Sequence, residues 1–230
     1  MSILRAIEVE KVYSTRGVET RALAGIDLTV EAGEFTALAG PSGSGKTTLL
    51  NLLGALDVPT AGQILLDGEE LAQLKPAELS DRRLHKLGFV FQAYNLIPVL
   101  SAVENVEFVL ELQGIGSSER RKRATELLER VGLGDLAEKR PLEMSGGQQQ
   151  RIAVARAIAS RPRVVLADEP TANLDSTTAK SLLDLMQTLN RDEGVTFLFS
   201  SHDPLVLNKA ERRILLRDGI IEGEERGSLS

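Results

Sequence analysis

Residues 40–47 read GPSGSGKT, an octet in which glycines, a lysine and a hydroxyl stand at the spacing G-x-x-x-x-G-K-[ST]. Concentrated negative charge of the kind a polyphosphate carries can be surrounded by backbone N–H groups only where bulky side chains do not block the approach. Gly43 and Gly45 supply that access. Lys46 adds a full positive charge near the β and γ phosphates, and the Thr47 hydroxyl is placed to ligate Mg²⁺. Gly40, Pro41, Ser42 and Ser44 complete the loop, and Thr48 follows it. A second group with chemical capacity is Asp168-Glu169, which the apolar residues 164–167 deliver to the C-terminal end of a buried strand. Ligands of open α/β sheets bind at that edge. Asp168 suits a Mg²⁺ that bridges phosphates, and Glu169, pointing another way, suits accepting a proton from, or orienting, the water that attacks a γ-phosphate. Residues 144–151, MSGGQQQR, form a third group. Ser145, Gly146 and Gly147 combine a hydroxyl, a flexible backbone and a helix N-terminus, a second anion-binding element in one chain.

These groups work only if strands and helices hold them, and the hydrophobic pattern predicts such a frame. Ile26, Leu28 and Val30 alternate with Asp27, Thr29 and Glu31, the period of a half-buried strand. A short apolar run at 35–39 enters the glycine loop, and Leu49, Leu50, Leu52, Leu53 and Leu56 follow at helical spacing. The phosphate loop is therefore read between strand and helix. From about residue 93 to 161 helical periodicity takes over, with Ala124, Leu127, Leu128 and Val131 on one face and the charged run 119–123 outside as a solvated face. Strand character returns at 164–167 and at 195–199, separated by the helical stripe Leu182, Leu183, Leu185, Met186 and Leu189. Asp218-Gly219 between two apolar runs predicts a two-residue hairpin. Strands alternating with helices predict an α/β fold with a parallel sheet and right-handed crossovers, interrupted by a helical insertion.

Composition bounds the function classes. The 230 residues carry a net charge of −6 and no cysteine, which excludes disulfides, thiolate catalysis and cysteine-based metal sites. The acidic balance, without a basic stripe, argues against nucleic acid as principal ligand. No apolar run approaches the roughly 18–20 residues a membrane helix needs, and charges interrupt the N-terminal stretch where a signal peptide would be apolar. Export is not expected.

Taken together, the phosphate loop, SGGQQQR and LADEP resemble the ATP-binding-cassette (ABC) ATPases, over residues 7–222 or so. The resemblance implies further roles. Gln92, after Phe89-Val90-Phe91, matches the glutamine that senses metal and attacking water and that opens the helical subdomain. Asp175, after Leu174, matches the loop that crosses between subunits. His202 matches the switch histidine at the γ-phosphate, and Tyr13 the ring that stacks on adenine. Met144 stands where leucine is usual, and Ala172 where glycine or serine is frequent. At finer grain GALD at 54–57, residues 87–106 and LADEPTANLDS are similar to ATPase subunits of the LolD/MacB type.

The resemblance implies a P-loop NTPase fold of the ABC-ATPase kind, with a mostly parallel central sheet, an N-terminal antiparallel β subdomain and an inserted helical subdomain. Residues 1–91 and 162–222 form the core, 92–161 the helical part and 223–230 a flexible tail. It implies ATP and Mg²⁺ as cofactors. Because one chain holds one phosphate loop and one signature element, it also implies a head-to-tail homodimer, each ATP lying between residues 40–48 of one copy and Ser145, Gly146, Gly147 and Gln148 of the other. A transmembrane permease partner follows, contacted by residues 94–100, from Tyr94 to Leu100, which places the protein peripherally at the cytoplasmic face of the inner membrane. No nucleic-acid partner is expected. A kinase or GTPase leaves SGGQ and His202 without a role. A soluble ABC ATPase of DNA repair or translation is the alternative.

Overall fold

The computed structural model describes residues 1–15 and 17–227. A long antiparallel pair, β1 (Ser2–Thr15) and β2 (Val18–Glu31), opens the chain. β3 (Phe35–Ala39) then leads through the phosphate loop into α1 (Lys46–Leu53). β4 (Ala61–Leu66), β5 (Glu69–Glu70), α2 (Pro76–Lys86) and β6 (Leu87–Val90) precede three helices, α3 (Ala102–Leu112), α4 (Ser117–Arg130) and α5 (Gly146–Ala159). The remainder alternates: β7 (Val164–Ala167), α6 (Ser176–Glu193), β8 (Phe197–Ser201), the short α7 (Pro204–Leu207), β9 (Arg212–Arg217) and β10 (Ile220–Arg226).

Two sheets result. One is four-stranded in the order β2-β1-β4-β5 and antiparallel; the other is six-stranded in the order β10-β9-β3-β8-β7-β6, parallel except for its edge strand β10. β3, β7 and β8 are buried along their whole length, as strands covered on both faces must be, so they read as apolar runs rather than alternations. α1 is wedged between the sheets: Leu49, Leu50, Leu52 and Leu53 share a core with Val9, Leu23 and Ile26 of one sheet and Leu38, Leu198 and Ile214 of the other. On the opposite face Phe35 packs edge-on against Phe197 with centroids 5.7 Å apart and tilted against Phe199 at 4.9 Å. That core runs on without interruption into α3, α4 and α5 through Val103, Val106, Leu128 and Ile152. The helical insertion is thus rooted in the sheet that carries the phosphate loop.

Several expectations need correction. α1 ends at Leu53, and Leu56 is 48% exposed, because Gly54 caps the helix against the Phe89 ring. The strand expected at 195–199 is displaced to Phe197–Ser201, since Val195 still closes the turn after Gly194, which sits in the left-handed region at φ +67°. The charged run 119–123 is only partly solvated: Arg120 and Arg121 pair with Glu111 and Glu107, and Arg123 reaches across to the carbonyl of Ala159 at 3.0 Å. Asp218 and Gly219 both have positive φ, as a tight hairpin of this twist requires, but β10 runs on to Arg226, paired with Arg212. Residues 223–226 of the expected tail are therefore strand, and residues 228–230 lie outside the described residues.

Candidate active site

The C-terminal ends of three adjacent strands converge on one cleft. β3 delivers the phosphate loop, β7 delivers Asp168-Glu169 and β8 delivers His202. The cleft has a volume of about 440 Å³ and is lined by Ser42, Gly43, Gly45, Lys46, Thr47, Thr48, Gln92, Glu169 and His202, with Thr20, Arg21 and Ala22 along one side. Gly45 heads α1 at φ +105°, where a side chain would be strained and its Cβ would strike the Ala22 carbonyl and Leu23 at 2.8 Å. No side chain caps this helix, whereas Ser101, Ser145 and Asp175 cap α3, α5 and α6. The first N–H groups of α1 are thereby left for an anion.

Lys46 is buried, its ammonium donating to the carbonyls of Gly40 at 2.8 Å and Pro41 at 3.1 Å, with Glu169 Oε1 3.8 Å away. The Thr47 hydroxyl donates to Asp168 Oδ1 at 3.1 Å. His202 Nδ1 lies 2.9 Å from Glu169 Oε1. Glu169 has φ +44°, an uncommon backbone state for a non-glycine residue that concentrates at functional sites. Lysine, hydroxyl, the Glu169 carboxylate and imidazole therefore line one cavity, with the Asp168 carboxylate joined to it through Thr47, although their positions span residues 46–202.

Other expected site residues are not in this cleft. Ser145 and Gln148 cap α5 reciprocally, Ser145 Oγ accepting from the Gln148 N–H at 3.3 Å and Gln148 Oε1 from the Ser145 N–H at 2.9 Å. Gly147 sits so close to α6 that a Cβ would fall 2.3 Å from Thr178 Cγ2. Tyr13 stands at the rim with its hydroxyl donating to Asp57 Oδ2 at 2.9 Å and the Lys11 ammonium 4.8 Å from its ring centroid. Burial, with the Asp57 carboxylate beside it, raises the Tyr13 hydroxyl above its ordinary pKa and keeps it a neutral donor. The partner loop is also corrected. Tyr94 is turned inward, its hydroxyl 2.7 Å from where a Cβ on Gly146 would stand, and Leu96 packs on the core. Of residues 94–100, Asn95, Pro98 and Val99 are the exposed ones.

Asp175, matched above to the loop that crosses between subunits, caps α6. Its Oδ1 accepts from the N–H groups of Thr177 and Thr178, both at 3.0 Å, and its Oδ2 from the Thr178 hydroxyl at 2.6 Å. The Thr178 hydroxyl and N–H bonds hold its carboxyl below the usual range. The sign follows: the cap is fully present above the carboxylate pKa of the unfolded chain and is lost as pH falls through the lower folded value. Asp175→Ala is expected to lower the thermal midpoint at pH 7 by roughly 2–4 °C, a deficit that shrinks below about pH 4. A melting series of both proteins from neutral to acid pH checks this, and a deficit constant with pH would remove the charge from the cap.

Three residues without an assigned role hold the backbone of the segment 91–95 that leaves β6. Asn173 Nδ2 donates to the Gln92 carbonyl at 2.9 Å, and fully buried Gln150 donates to the carbonyl of Pro170 at 2.8 Å and to that of Phe91 at 3.4 Å. The Arg156 guanidinium donates to the carbonyls of Tyr94 at 2.9 Å and Asn95 at 2.5 Å, both residues with positive φ. Gln150 had one visible signal, since it shares a helical stripe with Val154 and Ala157.

Residues 23–172 match the family model described as "ABC transporter". The lipoprotein-releasing system ATP-binding protein LolD 1 of Rhodopseudomonas palustris is 47% identical over 96% of this chain and 99% of its own length. This chain belongs to the ABC transporter ATPases. A macrolide export ATP-binding/permease protein, MacB of Syntrophobacter fumaroxidans, is 46% identical over 97% of this chain, which spans about a third, 32%, of that relative's length. Among solved structures the ATP-binding cassette MJ0796, in a dimeric post-hydrolysis state bound to ADP and Pi, is 42% identical with a TM-score of 0.90, covering 97% of this chain and 98% of that one. The ATPase fold expected from the sequence is thus the fold observed. Among its described residues no helix is long and apolar enough to cross a membrane.

Proposed function

We propose that this chain is the ATP-hydrolysing subunit of an envelope transporter, that two copies pair head to tail around two ATP molecules, and that the pair drives a permease. The observation that carries the reading is a division of parts: the cleft gathers Lys46, Thr47, Gln92, Glu169 and His202, whereas the signature residues Ser145 to Gln148 lie outside its lining. A second copy supplies what one cleft lacks.

The residues present fit Mg²⁺. Thr47 Oγ1 and Asp168 Oδ1 are 3.1 Å apart. That is close to the spacing of neighbouring oxygens on an octahedral ion with bonds of roughly 2.0–2.1 Å. Thr47 and Asp168 would hold it, and when bound it neutralises charge on the β and γ phosphates. Lys46 leaves the carbonyls of Gly40 and Pro41 for the phosphates, while the free N–H groups of α1 bind oxygens from below. Glu169 orients the attacking water and accepts its proton, with His202 steadying the carboxylate and reaching the γ-phosphate. Tyr13 stands by the base at the rim.

Closure then follows from differential binding, because ATP contacts both copies only in the closed pair. On the outer side, an apolar groove of about 400 Å³ lined by Leu56, Phe89, Phe91, Val109 and Arg156 adjoins Asn95 and is the seat of the permease. The chain acts peripherally, at the cytoplasmic face of the membrane. A complementation experiment tests the arrangement. Lys46→Ala and Ser145→Arg chains, each inactive alone, are expected on equimolar mixing to recover roughly a quarter of wild-type ATPase activity, since half the pairs are mixed and each has one intact site. No recovery above either parent would show that one chain completes its own site.

A further inference from the structure

We propose that Ser200 is a positioning residue for both acidic residues of the ATPase site, one buried hydroxyl setting the carboxylate of Asp168 and the backbone of Glu169 together. The proposal rests on the reading above, in which Asp168 serves the metal and Glu169 the water. Ser200 lies in β8 beside β7 and is fully buried. Its Oγ is 2.6 Å from Asp168 Oδ1 and 2.9 Å from the Glu169 nitrogen.

The directions of these bonds follow from the atoms. A hydroxyl has one proton, which goes to the carboxylate, and its lone pair takes the Glu169 N–H. One side chain therefore grips the peptide unit joining the two acidic residues and the carboxylate of the first. The need for it is local. The β6–β7 ladder ends where the Asp168 N–H meets the Val90 carbonyl at 2.9 Å, so the next N–H, that of Glu169, has no strand partner. Glu169 also stands at φ +44°, a conformation that persists only where the surroundings hold it. Ser200 supplies that hold.

The two hydroxyls on Asp168 Oδ1 differ in kind. Thr47, exposed, donates from the cleft side at 3.1 Å and must turn its lone pairs to the ligand. Ser200 donates from the buried side and is not among the residues lining the cleft. The adjacent Ser201 cannot replace it, because its Oγ is engaged by the Asp203 N–H at 3.1 Å. Removing the Ser200 hydroxyl leaves the carboxylate one donor short and a half-buried N–H without an acceptor, and groups that orient a ligating carboxylate govern both affinity and rate.

Mn²⁺, a paramagnetic substitute for Mg²⁺, is the probe. Titrated into the ADP-loaded protein and followed by the resonance signal of the free ion, Mn²⁺ is expected to bind Ser200→Ala about tenfold more weakly than wild type. In the same variant kcat is expected to fall about tenfold with KM for ATP changed less than about threefold, since Lys46 and the phosphate loop are untouched. Ser200→Thr, which keeps the hydroxyl, is expected to restore both; a threonine variant as impaired as the alanine one points to packing and overturns the proposal. Ser200→Cys, close in size with a weaker donor, gives an intermediate value and covers the case in which alanine lowers the melting temperature. Asp168→Asn runs in parallel. Mn²⁺ affinity within about twofold of wild type in both Ser200→Ala and Ser200→Cys, beside a loss in Asp168→Asn, overturns the role of Ser200 alone. An unchanged affinity in Asp168→Asn overturns the underlying assignment of the metal carboxylate.

Discussion

Glu169→Gln is expected to lower ATP turnover by about a hundredfold or more while nucleotide binding persists. Glutamine has the same shape and cannot take a proton, so the substitution isolates the basic function of the carboxylate from its space. The structure indicates why the fold should tolerate it. Glu169 is anchored through its backbone by Ser200, and among the described residues its side chain has the 2.9 Å contact to His202 and the 3.8 Å approach to Lys46. Removing a negative charge beside Lys46 also leaves that ammonium freer to meet the phosphates. ATP binding should therefore hold or tighten, and pairs closed around ATP should accumulate. Single-turnover hydrolysis and gel filtration with ATP and Mg²⁺ measure the two halves of this expectation. Turnover within about tenfold of wild type removes Glu169 from the proton-transfer role.

Lys46→Ala is expected to act one step earlier, weakening ATP binding by roughly a hundredfold or more, the range expected when one partner of a buried charge contact is truncated. Lys46 is 6% exposed, so its charge acts in a site largely withdrawn from water. Without it, the Asp168 and Glu169 carboxylates face the polyphosphate without the Lys46 charge to offset theirs. Linkage makes the effect visible as stability: ligand at about a hundred times its dissociation constant adds about 2.7 kcal/mol to wild type. For a chain of this size that is a rise of roughly 5–11 °C in the melting point. The variant is expected to show almost none of that rise and a nearly wild-type midpoint without nucleotide. A full shift with ATP would mean that the α1 N–H groups and the remaining loop suffice.

The legible and illegible parts of this molecule divide by range. The phosphate loop, the apolar strands β3 and β7, the acidic pair and the Asp218-Gly219 hairpin all lie within short windows, and local spacing carries their meaning. The helical stripe of α1 was legible as far as Leu53, and failed at Leu56 because Gly54 is pressed against Phe89, a residue far along the chain. Tyr94 was expected to face a permease because the aromatic and aliphatic loop 94–100 has no partner near it in sequence; its partner is Gly146, on another element. Asp175 matched a subunit-crossing loop by its motif, and the bonds of its carboxylate to the first turn of α6 appear only in the fold.

By itself, then, the sequence determined which chemical groups exist and in what order strands and helices present them, since periodicity and turn chemistry are properties of neighbours along the chain. Tertiary structure alone decided which groups meet. Thr47 reaches Asp168, Ser200 holds Glu169, and Arg156 holds the loop after Gln92, all through hydrogen bonds between residues tens of positions apart or more. Such bonds leave no periodic trace, because a single serine or arginine reads the same whether it faces water or a carboxylate. Only the packing of β8 beside β7, and of α5 against the sheet, makes the difference.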